Sequence, residues 1–127
     1  MPHPARAPAH GPADTLTLVL LGTTDVHGWI YPYDYYALAE APHGLGLLAP
    51  LVDSGRGAHP GRVYLFDSGD LLQGTPFALV YARVERGAPN PIIRAMDLLG
   101  YTAGTIGNHE FDYGVEHLDR AVAQAGF

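Results

Sequence analysis
Three short apolar runs punctuate the sequence, and each stops at a glycine-flanked cluster of acid or histidine. Leu16–Leu21 reads LTLVLL, the kind of run expected of a strand covered on both faces. Val63–Phe66 (VYLF) is a shorter run of β-forming residues, bounded by Gly61-Arg62 and by Asp67-Ser68-Gly69. Tyr101–Ile106 (YTAGTI) is a weaker third, because Gly104 lowers strand propensity. Helix signals lie between them. Leu47–Ser54 places Pro50 in a first turn, where its missing N–H costs little. Pro76–Val84 and Pro91–Leu99 both open on proline, and Val115–Gln124 spaces Val115, Leu118 and Val122 along one face. This alternation predicts an α/β fold around a mainly parallel sheet. With 16 glycines and 11 prolines and no internal repeat, the connections are expected to be long.

Composition narrows the function. A chain of 127 residues fits one small domain, and 47% hydrophobic residues supply a core. Its net charge of −6, with 16% charged residues, makes a nucleic-acid polymer a poor partner. An anionic substrate must then be neutralised by something other than Lys or Arg, and a metal ion is the obvious candidate. Cysteine is absent, which excludes disulfides, thiolate zinc sites and cysteine nucleophiles. No apolar run approaches the ~20 residues of a membrane span. Residues 1–14 (MPHPARAPAHGPAD) are rich in Pro and Ala, lack the apolar centre of a secretory signal, and are expected to form a flexible tail before a domain at 15–127.

The clusters after the three runs hold the chemistry. GTTDVHGW follows the first with Asp25 and His27; DSGDLLQG follows the second with Asp67 and Asp70; GNHEFDYG ends the third with Asn108, His109, Glu110 and Asp112. Open α/β sheets bind ligands at the carboxyl ends of their strands. In extended backbone, residues i and i+2 point the same way, so Asp25 and His27 are expected to face one point. Carboxylates, imidazole and an amide oxygen make a mixed O/N donor set. Such a set suits Zn, Mn or Fe and is too nitrogen-rich for a dedicated Ca site. Read singly, each cluster has a plainer alternative: Asp-x-His is a common loop pair, Asp70 serves equally as a helix cap, and Asn108 as a turn residue. Co-occurrence at three successive run ends, beside glycines that allow close backbone approach, favours a shared site. His3, His10, His43 and His59 lie in Pro/Gly-rich stretches and are expected to be solvated, and His117 to sit on a helix surface.

In this order, DVH, SGDLLQG and GNHEFDYG resemble the motifs of the calcineurin-like metallophosphoesterases. The bacterial nucleotidase branch, with TTD-x-H, GD-x-x-x-G and GNHEF, is the closer match. PYDYY (Pro32–Tyr36) together with GDLLQGTP is similar to the 2′,3′-cyclic-nucleotide 2′-phosphodiesterase/3′-nucleotidases. The resemblance covers Leu16 to Phe127. It implies the N-terminal half of an α/β/β/α sandwich and two divalent metal ions. Asp25 and His27 would bind the first ion, Asp70 would bridge both, and Asn108 would bind the second. His109 would stabilise the transition state or protonate the leaving group, with Asp112 orienting it. Glu110 would play a supporting part at most, and Asp67 a structural one. The implied reaction is two-metal hydrolysis of a nucleotide or cyclic-nucleotide phosphoester.

The family completes its metal shell with three later histidines, including a Gly-His-x-His, and none occurs here. The resemblance therefore implies an incomplete catalytic domain lacking its second half and a C-terminal specificity domain, inactive by itself. It also implies a periplasmic or otherwise extracytoplasmic setting. Two alternatives remain at this level: a non-catalytic remnant or metal-binding module, and a metallophosphatase acting on other phosphoesters.

Overall fold
A computed structural model describes residues 15–127, so the tail expected at 1–14 lies outside the described residues. Strand β1 (Val19–Thr23) runs parallel to β4 (Val63–Asp67), in register from Val19 opposite Val63 to Thr23 opposite Asp67. Strand β5 (Ala103–Gly104) adds parallel to the other edge of β4, giving the order β1-β4-β5. The expected α/β class and parallel sheet are both present. Pairing moves the boundaries, since β1 begins only where β4 offers partners. Leu16 and Leu18 precede the strand and are exposed. β5 keeps only two of the six residues expected, in line with the weakening effect of Gly104.

The helices follow their start signals closely. A 3-10 turn at Leu45–Leu48 leads into α1 (Ala49–Ala58), with Pro50 in the first turn. Helix α2 (Pro76–Arg83) is capped by Thr75, whose hydroxyl accepts from Ala78 N at 3.1 Å. Helix α3 (Pro91–Leu99) is capped by Asn90 through the amides of Ile92 and Ile93, and ends on Gly100 at φ 69°. Arg56 ties α1 to that end, donating to the carbonyls of Leu99 and Gly100 at 2.7 Å each. Helix α4 (Val115–Gln124) closes the set. No helix among the described residues is long and apolar enough to cross a membrane.

The core gathers Leu65 of β4 with Leu45, Val52, Ile92, Met96 and Leu118. Among the described residues it lies on one side of the sheet. Along β4, Leu65 and Asp67 are buried while Tyr64 and Phe66 are each 37% exposed, and Leu20 of β1 is 67% exposed. Strand side chains alternate between faces, so among the described residues the second face is open to solvent.

PYDYY forms a small hairpin, β2 (Tyr33–Asp34) against β3 (Ala39–Glu40). Asp34 Oδ1 closes it by accepting from the amides of Tyr36 and Ala37. The Tyr36 hydroxyl reaches the Gly74 carbonyl at 3.4 Å, placing the hairpin beside the loop that follows β4.

His117 also departs from expectation. It faces inward with Leu118 and Ala121 and is buried. Its Nδ1 meets Arg120 Nη2 at 3.4 Å, its ring lies edge-on to Tyr113, and Nε2 has no hydrogen-bond partner among the described residues. Burial holds its pKa below the ordinary histidine value, and the charges of Arg120 and Arg83 add to this. The folded state therefore keeps His117 neutral where the unfolded chain takes up a proton. Its stabilising contribution is full above the unfolded value of about 6.5 and is lost as pH falls through the lowered folded value. Between about pH 7.5 and about pH 5.5, the wild type should lose more melting temperature than His117→Gln. Equal losses would place the titrating group elsewhere.

Candidate metal centre
Beyond Thr23 and Asp67, the loops leaving β1 and β4 stay hydrogen-bonded to each other. Asp25 N donates to Gly69 O at 3.1 Å, His27 N to Asp70 O at 2.9 Å, and Gly28 N to Leu71 O at 2.8 Å. This ladder is not extended strand. Asp25, His27 and Asp70 have φ of 52°, 47° and 63°, and among the described residues only Leu38 shares this left-handed region without being glycine. Asp25 and His27 thus converge because the backbone turns left-handed at both, and not through the i, i+2 alternation of a strand. Asp and His tolerate that region better than most residues. Strain of this kind costs on the order of 1–3 kcal/mol per residue and collects at functional sites.

The turns bring one ligand atom each from Asp25, His27 and Asp70 to within 4.8 Å of one another. His27 Nε2 lies 3.6 Å from Asp25 Oδ1, and both side chains are open to solvent. Thr24 Oγ1 donates to Asp25 Oδ2. The third cluster arrives as a 3-10 turn, Asn108–Phe111. Asp70 Oδ1 accepts from His109 N at 2.9 Å, which sets that turn against the other two loops. The His109 ring then lies edge-on to His27, with centroids 5.4 Å apart. On its other side His109 Nδ1 is 2.9 Å from Asp112 Oδ2, and this hydrogen bond raises the His109 pKa, helped by the charges of Asp112, Asp70 and Glu110. Asn108 is exposed at the start of the same turn. All six residues singled out by sequence therefore sit on three adjoining loops.

Asp67 lies beneath them. It is buried, accepts from Thr23 Oγ1 at 2.5 Å and Gly69 N at 2.7 Å, and burial raises its pKa. Sequence reasoning missed Gln73, whose Nε2 lies 2.5 Å from His27 Nδ1. A polar partner there fixes the ring orientation of a ligand histidine. No signal in the sequence marks it, since the contact depends on the path of two loops 46 residues apart.

Glycine makes the close loop approach possible. At Gly69, φ is +97° and an added Cβ would lie 2.5 Å from Gly107 N and 2.8 Å from Gly107 Cα. Both obstacles are backbone, so the loops after β4 and β5 would have to part. Gly69→Ala should destabilise the chain by more than about 1 kcal/mol and weaken Mn²⁺ binding. Thermal unfolding and a Mn²⁺ titration check this, and wild-type values in both would mean that the loops can separate freely.

The donor set fits a divalent ion. Two carboxylates and an imidazole, reachable from solvent, form the oxygen-rich mixed set that suits Zn, Mn or Fe.

Known proteins resemble this chain in sequence and fold. No family model matches the sequence. The chain is similar to the trifunctional nucleotide phosphoesterase protein YfkN of Bacillus subtilis, at 38% identity over 100% of this chain and 9% of that protein. It is 39% identical to a 2′,3′-cyclic-nucleotide 2′-phosphodiesterase/3′-nucleotidase of Haemophilus influenzae, over 95% of this chain and 19% of the relative. The chain thus spans about 9–19% of the length of these curated relatives. The crystal structure of the calcineurin-like phosphoesterase YfkN from Bacillus subtilis superimposes with a TM-score of 0.81 at 38% identity, covering 87% of this chain and 35% of that one. In sequence and in fold, the chain is thus similar to the calcineurin-like phosphoesterases over most of its own length.

Proposed function
We propose that this chain supplies metal ligands and the acid–base histidine of a binuclear metal-dependent phosphoesterase acting on nucleotides, of the 2′,3′-cyclic-nucleotide 2′-phosphodiesterase and 3′- or 5′-nucleotidase kind. The observation that supports it most is the convergence of Asp25, His27 and Asp70, three of the four non-glycine residues with left-handed φ among those described. Relatives named for nucleotide phosphoesters support the substrate class. The small share of those relatives that the chain spans supports reading it as the N-terminal portion of a catalytic domain.

In this reading Asp25 and His27 would hold one divalent ion and Asn108 a second, with Asp70 serving both. Two divalent ions held there would supply positive charge to the phosphate oxygens and lower the pKa of a water toward neutrality. The protein's own part is positioning and proton transfer. For His27 to offer Nε2 to an ion, its Nδ1–H would donate to the Gln73 amide oxygen, the flipped amide orientation of the Gln73–His27 contact. Asp112 engages Nδ1 of His109, leaving Nε2 to carry a proton to the departing ester oxygen.

Two measurements test the proposal. Mn²⁺ titrated into the chain should bind saturably, and a flat titration overturns the metal centre. In whichever form turns over, this segment or a longer one containing it, a 2′,3′-cyclic nucleotide should be hydrolysed faster than a phosphopeptide. The reverse order removes the nucleotide reading.

A further inference from the structure
Glu110 is only 3% exposed, although it sits between two residues at the rim of the site. Its carboxylate is fully engaged. Oε2 accepts from Asp70 N at 2.7 Å and from Gly107 N at 2.6 Å. Oε1 accepts from Leu72 N at 3.2 Å and from Leu71 N. A carboxylate offers about four lone-pair positions, and four amides occupy them here, which leaves none for a cation. Glu110 is therefore not a ligand.

The donors have a particular arrangement. Asp70, Leu71 and Leu72 present three successive N–H groups from a turn that begins with Asp70 at φ 63°. Successive amides around a left-handed residue form a concavity that binds anions, and here the anion is the protein's own side chain. The fourth donor, Gly107 N, belongs to the loop after β5. Oε2 thus bridges the loop carrying Asp70 and the loop carrying Asn108. Asp70 closes the joint from the other direction, its Oδ1 accepting from His109 N.

We propose that Glu110 is a positioning residue for the metal centre. Its buried carboxylate fills the amide concavity at Asp70–Leu72 and, through Gly107 N, sets the Asp70 carboxylate against the Asn108–His109 turn before any ion binds. This rests on the metal-centre reading above. It also accounts for the residue type. A glutamine would keep one acceptor oxygen and turn an NH2 group toward amide donors, so either the concavity or the bridge would lose its acceptor.

The test compares Glu110→Gln with Leu118→Ala, a core truncation on α4 that leaves every hydrogen bond of the Glu110 carboxylate in place. Two readouts are taken: Mn²⁺ affinity by calorimetry, and amide hydrogen exchange of the metal-free protein. Glu110→Gln should weaken Mn²⁺ binding roughly 10–100-fold, the range for partners that orient ligands. It should also speed exchange at Asp70, Leu71, Leu72 and Gly107. Leu118→Ala should lower the melting temperature yet keep the wild-type Mn²⁺ affinity. Wild-type affinity in Glu110→Gln, or equal losses of affinity in both variants, overturns the proposal. If Glu110→Gln does not fold, Glu110→Asp replaces it: the charge stays but the shorter side chain cannot serve both loops, and the same ordering is expected. Failure of the wild type to bind Mn²⁺ overturns the metal reading itself, and the exchange pattern then decides alone whether Glu110 joins the loops.

Discussion

Asp70→Asn is expected to abolish measurable Mn²⁺ binding while leaving the fold intact. The substitution isolates charge from shape. An asparagine tolerates the left-handed φ of 63° as readily as aspartate, and its amide oxygen can still accept from His109 N. What disappears is one full negative charge at the centre of the donor group, on the side chain proposed to serve both ions. The loss should exceed the ~10–100-fold typical of residues that only orient ligands. Metal-free stability should not suffer, because Asp25 and Asp70 present two carboxylates within 4.8 Å of each other, and removing one relieves repulsion. Calorimetric titration with Mn²⁺ and thermal unfolding of the metal-free protein give the two readings. Unchanged affinity would remove Asp70 from the centre, and a collapse of stability would show that its role is structural.

His109→Ala should divide the two halves of the site in the opposite way. The backbone N–H that ties residue 109 to Asp70 survives the change, and the imidazole is not among the three converging donors. Mn²⁺ binding should therefore persist. Hydrolysis of a 2′,3′-cyclic nucleotide, measured in whichever form of the protein turns over, should fall roughly 10²–10⁴-fold, as for loss of a general acid. Asp112, 2.9 Å from Nδ1, supports this division, since a carboxylate there orients the ring and favours its protonated form. A loss of metal as large as that in Asp70→Asn would instead make His109 a ligand.

Much of the architecture was legible in residue order. Pro91 at its start, and Val115 with its apolar spacing, marked α3 and α4 where the structure shows them, because start signals and periodicity are local effects. Asp25, His27, Asp70, Asn108, His109 and Asp112 were visible as polar clusters closing apolar runs, and strand topology alone suffices to gather such clusters at one sheet end.

Other features depended on contacts between segments far apart in sequence. The left-handed turns at Asp25, His27 and Asp70 are held by a ladder between two loops, and no local propensity announces a ladder. Gln73 reached His27, and Glu110 four amides on two loops, only once β4 lay between β1 and β5. His117 reads as a surface position from its neighbours, yet packing of α4 turned it inward. The sequence by itself determined which residues carry the chemistry and which elements deliver them, since those follow from side-chain type and short-range periodicity. Only the tertiary structure decided how the side chains are aimed, because aim depends on hydrogen bonds and close glycine contacts between segments some 40 residues apart.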